Sequence, residues 1–302
     1  MFIGFAAALA IGAVAARADA PPLAVVSDPA QDKTNPAGFT SFALPTHGVK
    51  INAVLFTAAG PGPHPTVILF HGLPGNETNI DLARAIQRAG WDVLTLHYRG
   101  SWGSPGRYSF THCLEDGEAA LAWLREPSNV SRCGLDQSRI VVVGHSLGGS
   151  VSGWVAGHDD HLAGAVLISA GRNFGGMSGM ARADAIRRME DNLQNDEGMH
   201  TVGDSTAEDL ADELIRNNAA WDLAQYAPTL AKHPLLVVTA DDGFAPANER
   251  IAAAVKAQPG GKVTVVHFAT DHSYNDQRVS LASAVVRWLE QLPLPRADAR
   301  RP

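Results

Sequence analysis

The apolar residues of the chain fall into short runs that are separated by amphipathic stretches. One run, VKINAVLF at 49–56, alternates only in part and predicts an early antiparallel strand. The other runs are almost continuously apolar: TVILFH (66–71), WDVLTLHY (91–98), RIVVVG (139–144), GAVLIS (164–169), PLLVVTA (234–240) and KVTVVHF (262–268). Continuous runs of this length are typical of strands that are covered on both faces of a sheet.

Helical patterns lie between these predicted strands. They are IDLARAIQRAG (80–90), CLEDGEAALAWLRE (113–126), PANERIAAAVKAQ (246–258) and RVSLASAVVRWLEQL (278–292). Gly90 closes the first helix, Pro127 and Pro293 follow the second and fourth, and Pro246 opens the third. Because strands and helices alternate, the sequence predicts an α/β fold with a mostly parallel central sheet and helices on both faces.

Residues 171–232 depart from this alternation and are called the lid segment below. The segment is rich in Met, Asp, Glu and Asn, and it contains helical stretches but no clear strand. It follows the predicted strand GAVLIS, whose end lies at the carboxyl edge of the sheet where Ser146 is exposed, so we expect a mobile helical lid that influences substrate choice. Packing against the core is the equally open alternative for each of its apolar residues, which are Phe174, Met177, Met180, Met189, Leu193, Leu214, Ile215 and Trp221.

Composition limits the classes of partner. The 302 residues are 45% hydrophobic and 18% charged, which suits a globular chain with a large core. The formal net charge of −7 supplies no basic footprint for nucleic acid. We therefore expect small-molecule or short peptide substrates, no nucleic-acid partner and no cofactor.

The N-terminal residues have the pattern of an export signal. An apolar run from Phe2 to Ala16 is followed by Ala16-Arg17-Ala18, although no Lys or Arg precedes it. We predict cleavage after Ala18 in preference to Ala20, where Pro21 would follow the scissile bond. The expected protein is a single domain, 19–302, in the periplasm or secreted, without stable membrane insertion. A buried helix or a membrane anchor is the alternative.

The two cysteines leave their redox state open. Cys113 and Cys133 bracket a predicted helix, and in an oxidising compartment they could form a disulfide. Two buried, unpaired thiols are equally compatible with the sequence.

The stretch RIVVVGHSLGGSVSGW carries the strongest chemical signal. Its Gly144-His145-Ser146-Leu147-Gly148 has the G-x-S-x-G pattern, directly after an apolar strand and before a helix of small residues. Such a turn exposes a serine hydroxyl at the carboxyl end of a sheet, beside the positive end of the following helix. The sequence therefore predicts Ser146 as a nucleophile, with a close-packed glycine turn as the structural alternative.

A serine nucleophile needs a base and an acid that orients the base. His272 follows the last strand in a short polar loop, and Asp241 and Asp242 follow the preceding one, so the order is serine, acid, histidine. His97, His112 and His200 lack such a position. The HDDH turn at 158–161 is expected to be a solvated turn and not a metal site.

These motifs resemble the α/β-hydrolase superfamily over residues 40 to 292. The superfamily's acid commonly stands four residues before a proline, which favours Asp242 because Pro246 follows it by four. The stretch FHGLPGN at 70–76 resembles the His-Gly oxyanion motif of the superfamily. The resemblance thus implies that the backbone amides of Leu73 and Leu147 bind the oxyanion.

A narrower resemblance is to small esterase-like relatives of the prolyl oligopeptidase group and to dienelactone hydrolases. It is carried by LHYRGSWGSPGRYSF at 96–110 and by DHSYNDQR at 271–278. The chain differs from dienelactone hydrolases by having Ser146 where those enzymes use cysteine. It is also too short before its first strand for a β-propeller. Arg99 and Trp102 are expected either to line the substrate site or to brace a glycine-rich loop.

Three hypotheses on function follow. The first is a serine hydrolase that cleaves carboxylic esters through an acyl-serine, and the second is a small peptidase or acyl-peptide hydrolase with the same triad. The third is an exported binding protein that has lost catalysis. A non-hydrolytic lyase on the same fold is also compatible with the sequence, since a fold does not fix the reaction.

Overall fold

The computed structural model describes residues 20–171, 179–195 and 197–293. The predicted signal peptide, 1–18, lies outside these residues, as do Phe174 and Met177 of the lid segment. Among the described residues, no helix combines the length and the apolar character that a membrane span requires.

A single eight-stranded sheet forms the centre of the molecule, in the order β1-β2-β4-β3-β5-β6-β7-β8. Its strands are β1 (Gly38–Thr46), β2 (Val49–Thr57), β3 (His64–Phe70), β4 (Asp92–Leu96), β5 (Leu135–His145), β6 (Gly164–Ile168), β7 (Pro234–Ala240) and β8 (Lys262–Phe268). β2 pairs antiparallel with β1 and β4, and every pairing from β4 to β8 is parallel. The predicted antiparallel start and the parallel core are both confirmed.

The described helices are α1 (Leu23–Val26), α2 (Ile80–Arg88), α3 (Phe110–Arg125), α4 (Pro127–Cys133), α5 (Leu147–Gly157), α6 (Arg182–Asn195), α7 (Ala207–Asn217), α8 (Ala227–Leu230), α9 (Ala245–Lys256) and α10 (Arg278–Glu290). Two 3₁₀ turns occupy Glu197–Thr201 and Leu223–Tyr226. The four helices predicted between the strands are present. α3 begins three residues earlier than the pattern indicated, because Ser109 caps it by accepting a hydrogen bond from the His112 amide at 3.0 Å.

Two hydrophobic clusters cover the two faces of the sheet. One lies under α2 and α10, and the other lies under α3, α5, α9 and the lid segment. Both faces of the central strands are therefore buried, which explains the continuous apolar runs of the sequence. The predicted fold class, a mostly parallel sheet with helices on both faces and a helical insertion, is confirmed.

The lid segment is tied to the loop that follows β4. The Gly203 amide donates to the Gly100 carbonyl at 2.7 Å, and the Trp102 amide donates to the Thr201 carbonyl at 3.2 Å. The carboxylate of Glu213 on α7 accepts from the amide of Phe110 at the start of α3. These contacts join the lid segment to the core at points far from its two ends.

Most apolar residues of the lid segment pack into the core. Met189, Leu214 and Trp221 are at most 4% exposed, and Met180 and Leu193 pack against the same cluster. Ile215, at 38% exposure, faces solvent in part. Except for Ile215, these residues pack against the core and do not form a free apolar face.

Cys113 and Cys133 are both free thiols. Cys113 is fully buried beside the Tyr108 hydroxyl, and burial raises the pKa of its thiol well above the usual value. The disulfide that the sequence left open is therefore absent from the described residues.

Candidate active site

Ser146 occupies the sharp turn between β5 and α5. Its backbone has φ 58° and ψ −120°, in a region that residues other than glycine rarely adopt. The turn is fixed by the Ser146 amide, which donates to the Ile168 carbonyl at 2.9 Å, and by its carbonyl, which accepts from Gly171 at 3.0 Å. A strained serine is thus held at the amino end of a helix, as the motif predicted.

Close approach of backbone explains the glycines around Ser146. A β-carbon on Gly144 would lie 1.9 Å from the Gly148 carbonyl oxygen, and one on Gly148 would lie 2.1 Å from the Phe70 carbonyl oxygen. Neither neighbour is a flexible side chain that could move aside. The glycines therefore allow α5 to start directly against the ends of β3 and β5.

His272 and Asp242 form a hydrogen-bonded pair beyond the ends of β8 and β7. The Nδ1 atom of His272 lies 2.8 Å from Oδ2 of Asp242, whose side chain is only 1% exposed. Asp241 points away from this pair: its side chain is 66% exposed and lies 3.2 Å from Nε2 of His267. Of the two neighbouring carboxylates, only that of Asp242 contacts His272.

Asp242 is held in its charged form by several donors. Burial acts to raise the pKa of this carboxyl, but hydrogen bonds from His272, Ser169 and the Phe244 amide outweigh it and lower the pKa below its ordinary value. The Ser169 hydroxyl also lies 2.8 Å from the hydroxyl of the fully buried Tyr274. A carboxylate in this state can accept the Nδ1 proton of His272 and fix the ring's tautomer.

His145 brings the loop of His272 to the end of β5. Its Nε2 lies 2.7 Å from the carbonyl oxygen of His272, and the two ring centroids are 4.8 Å apart. Because burial lowers the pKa of His145 to about 4, the ring is neutral at physiological pH and Nε2 carries its proton to donate this bond. His145 directly precedes Ser146, so the contact brings the loop of His272 to the turn of Ser146.

The hydroxyl of Ser146 and the ring of His272 are not hydrogen-bonded in the described structure. No hydrogen bond joins Ser146 to the His272 ring among the contacts of the described residues. Such bonds are often long before substrate binds and shorten in the complex. The structure thus places the three predicted residues at one edge of the sheet, with the histidine–acid pair already formed.

The predicted oxyanion loop lies directly against the turn of Ser146. A β-carbon on Gly72 would approach the Ser146 β-carbon to 3.0 Å, so the loop after β3 passes in contact with Ser146. Neither the Leu73 amide nor the Leu147 amide donates a hydrogen bond to an acceptor in the described part of the chain. Both amides are therefore available for a negatively charged oxygen.

Arg99 and Trp102 brace the loops around the site. Arg99 is 5% exposed, and its Nε donates to Asp116 at 2.7 Å while its backbone amide donates to the same carboxylate at 2.8 Å. The indole of Trp102 donates to the Pro74 carbonyl at 2.8 Å. Of the two expectations from sequence, bracing is the one that these contacts support.

Other histidines lie outside this arrangement. The HDDH turn is held by Arg125, which forms a bidentate pair with Asp159, and the described residues contain no group of three or more potential metal ligands. Reasoning from the sequence did not identify His145 and Tyr274 as residues that support the pair of His272 and Asp242. His145 lies inside the G-x-S-x-G motif, and that position is the one signal that could have drawn attention to it.

Comparisons with known proteins agree with this architecture. A family model described as the alpha/beta hydrolase fold matches residues 65–284. The alpha/beta hydrolase domain-containing protein WAV2 of Arabidopsis thaliana is 35% identical over 106 residues, which cover 34% of this chain and 33% of that protein. The chain thus matches about a third of the length of this curated relative.

Two solved structures are similar over most of the chain. The thermophilic carboxylesterase EstE1, cloned from a metagenomic library, has a TM-score of 0.63 and 25% identity, over 85% of this chain and 91% of that chain. The acylaminoacyl peptidase of Pyrococcus horikoshii has a TM-score of 0.64 and 16% identity, over 88% of this chain and 43% of that chain. At 16% identity, the similarity to the acylaminoacyl peptidase shows a shared fold only.

Proposed function

The chain belongs to the alpha/beta hydrolase family, and we propose that it is a serine hydrolase that cleaves carboxylic esters through an acyl-serine intermediate. The observation that carries this proposal is the strained Ser146 turn beside the buried pair of His272 and Asp242. A serine in a positive-φ turn, a histidine base and a buried carboxylate are the parts that activate a hydroxyl.

Acylation would proceed by attack of Ser146 on the ester carbonyl. His272 Nε2 takes the hydroxyl proton as Oγ bonds to the carbonyl carbon, and the carbonyl oxygen becomes an anion. The Leu73 and Leu147 amides would donate to this anion, and each well-placed donor is typically worth about 100- to 1,000-fold in rate. When the tetrahedral intermediate collapses, the alcohol leaves with the proton held by His272, and the acyl group remains on Ser146.

Deacylation repeats these steps with water. His272 removes a proton from water as its oxygen attacks the acyl carbon, and the Ser146 oxygen then leaves and recovers a proton from His272. Asp242 stays ionised throughout and stabilises the imidazolium. The products are an alcohol and a carboxylic acid, and no cofactor is needed in this scheme.

The carboxylesterase likeness favours esters over peptides, since EstE1 shares 25% identity over nearly the whole fold. A peptidase or acyl-peptide hydrolase with the same triad is the second candidate, and the acylaminoacyl peptidase supports it through fold similarity only. The substrate in either case is a small ester or a short peptide. The third candidate is an exported binding protein that has lost catalysis.

Turnover of matched substrates separates these candidates. We expect hydrolysis of 4-nitrophenyl acetate and butanoate, with much slower release of 4-nitroaniline from aminoacyl and acetyl-aminoacyl anilides. Ser146→Ala should abolish hydrolysis of the esters and of the anilides. The control Ser138→Ala, at an exposed serine in β5, should hydrolyse them as wild type does. Faster cleavage of the anilides would favour the peptidase, and no turnover of either would favour the binding protein.

We also propose that the protein is exported and acts in the periplasm or outside the cell. The apolar run from Phe2 to Ala16, followed by Ala16-Arg17-Ala18, supports this. The residues that follow the predicted signal contact the core: Arg287 on α10 donates to the Ala20 carbonyl at 2.7 Å, and Arg88 on α2 donates to the Ala24 carbonyl at 2.6 Å. A chain cleaved after Ala18 would keep these contacts. N-terminal sequencing of the mature protein should begin at Asp19; cytoplasmic protein that retains the apolar run would contradict the proposal.

A further inference from the structure

The carbonyl groups on either side of the Leu73 amide are both held by aromatic rings. Nδ1 of the buried His71 lies 2.7 Å from the Gly72 carbonyl oxygen, and since that oxygen can only accept, Nδ1 carries the hydrogen and donates it. Nε1 of Trp102 donates to the Pro74 carbonyl at 2.8 Å. The two rings therefore fix the course of the predicted oxyanion loop around its candidate donor.

The bond from His71 sets the direction of the Leu73 amide. The Gly72 carbonyl and the Leu73 N–H belong to one trans peptide group, in which they point in opposite directions. Because the carbonyl points toward the His71 ring, the N–H points away from that ring. Gly72 itself lies against Ser146, since a β-carbon on Gly72 would lie 3.5 Å from the Ser146 hydroxyl oxygen. The amide is thus held in a fixed direction close to the candidate nucleophile.

The chain after Pro74 passes tightly between the same two rings. A β-carbon on Gly75 would lie 2.6 Å from Nε1 of Trp102 and 2.7 Å from Cε1 of His71, so no side chain fits there. Gly75 also has φ 108°, a conformation that glycine adopts without strain. A shift of the Trp102 indole would therefore move the backbone of the loop that carries the Leu73 amide.

Trp102 is itself held in a strained backbone conformation. Its φ of 48° lies in the left-handed region, and such residues persist only where their surroundings hold them, often at functional sites. The Trp102 amide donates to the carbonyl of Thr201 in the lid segment at 3.2 Å, and the Trp102 carbonyl accepts from Nδ2 of Asn52 on β2 at 3.3 Å. The lid segment and β2 thus fix the residue whose indole holds the predicted oxyanion loop.

We propose that Trp102 is a positioning residue of the reaction, whose indole donor keeps the Leu73 amide aimed at the anion that forms on the substrate carbonyl oxygen. This inference rests on the proposed function. An oxyanion donor acts mainly on the transition state, because the charge that it binds develops there. A donor that is lost outright costs about 100- to 1,000-fold in rate, so a donor that is present but poorly held should cost less, about tenfold.

Variants that lack the indole donor test this role. Trp102→Phe keeps an aromatic ring and Trp102→Leu keeps apolar bulk, but neither can donate to the Pro74 carbonyl. We expect kcat/KM for 4-nitrophenyl butanoate to fall by about tenfold in each variant. Trp154→Phe is the matched control, because the Trp154 indole on α5 also donates a hydrogen bond, to Glu118 at 2.7 Å. Its kcat/KM should equal that of wild type.

A pair of inhibitors distinguishes positioning of the amide from a purely structural role. When 1,1,1-trifluoro-2-octanone binds, the Ser146 oxygen bonds to the ketone carbon, the hydroxyl proton passes to His272, and the ketone oxygen becomes the anion. The alcohol 1,1,1-trifluoro-2-octanol has the same chain but no carbonyl, so it forms no adduct. In the Trp102 variants, the Ki of the ketone should rise by the factor by which kcat/KM falls, whereas the Ki of the alcohol should change by less than about twofold.

The outcomes separate this inference from the function on which it rests. If wild type hydrolyses esters but the Trp102 variants, shown to be folded by thermal unfolding, keep its Ki for the ketone, Trp102 does not position the amide. Equal rises in the Ki of the ketone and of the alcohol would show that Trp102 shapes substrate binding in general, which also contradicts the inference. If wild type hydrolyses no ester, the proposed function fails, and the role of Trp102 fails with it.

Discussion

At the scale of single residues, the choice of the acid depends on which way two adjacent side chains point. The Asp242 side chain is 1% exposed and contacts His272, whereas the Asp241 side chain is 66% exposed and lies near His267. Consecutive residues at the end of a strand point to opposite sides, so only one of them can reach His272.

The matched pair of asparagine variants tests this assignment. Asp242→Asn should lower kcat by about 10,000-fold, because an amide stabilises the wrong tautomer of His272 and cannot balance the imidazolium. Asp241→Asn should remain within about twofold of wild type, since the Asp241 side chain is exposed and does not contact His272. Steady-state kinetics on 4-nitrophenyl acetate checks both, and equal losses would leave Asp242 without a special role.

The sequence predicted the candidate catalytic residues better than the residues that support them. Ser146 and His272 stand in motifs at strand ends, and Asp242 was favoured by its spacing from Pro246. The roles of His145 and Tyr274 depend on contacts across the sheet edge, such as the bond of His145 to the His272 carbonyl. No local pattern encodes such contacts, because the partners are more than 100 positions apart.

At the scale of elements, the lid segment contacts the core through the carboxylate of Glu213 on α7, which lies at the start of α3. Two carboxylate oxygens of Glu213 accept from the amides of Phe110 and Thr111, at 2.9 and 2.8 Å, and Glu213 is 9% exposed. The first amides of a helix lack partners within the helix, and the helix dipole favours a negative charge there. α7 therefore stabilises the start of α3.

Removing this charge should destabilise the protein. Glu213→Gln leaves a single acceptor oxygen and no charge at the start of α3, and we expect it to lower the free energy of unfolding by about 1–3 kcal/mol. The control on the same helix is Glu208→Gln, whose exposed pair with Arg182 is screened by solvent and should contribute little to stability. Urea unfolding measures both, and equal effects would show that α7 does not act through this cap.

Elements that the sequence did not predict are those with weak apolar patterns. β1 lies at the edge of the sheet and most of its residues are exposed, so its sequence GFTSFALPT does not form an apolar run. α4 is seven residues long and begins at Pro127, which the pattern treated as the end of α3. The buried strands and the longer amphipathic helices were predictable because tertiary burial and local pattern agree there.

At the scale of the whole molecule, buried neutral histidines should make stability depend on pH. Burial lowers the pKa of both His71 and His145 to about 4 in the folded protein. Their ordinary value in an unfolded chain is about 6.5, so between these values the unfolded state binds more protons than the folded state. Stability is therefore full above pH 6.5 and falls as the pH decreases toward 4.

The share of His145 in this dependence can be measured. Linkage gives a loss of about 2 kcal/mol in the free energy of unfolding between pH 7.5 and pH 5 for one such group. His145→Asn should reduce the measured pH-dependent loss by about that amount, whereas His47→Asn, at an exposed turn histidine, should leave the dependence as in wild type. Identical pH profiles for the two variants would mean that His145 is not a buried neutral base.

The central claim is that Ser146 is the nucleophile of a hydrolase, and covalent labelling tests it most directly. A fluorophosphonate should form one adduct per folded chain, and mass spectrometry of the digested protein should place it on the peptide that contains Ser146. Ser146→Ala should abolish the adduct, and Asp242→Asn should slow its formation strongly. An adduct on another residue, or undiminished labelling of folded Ser146→Ala protein, would contradict the account.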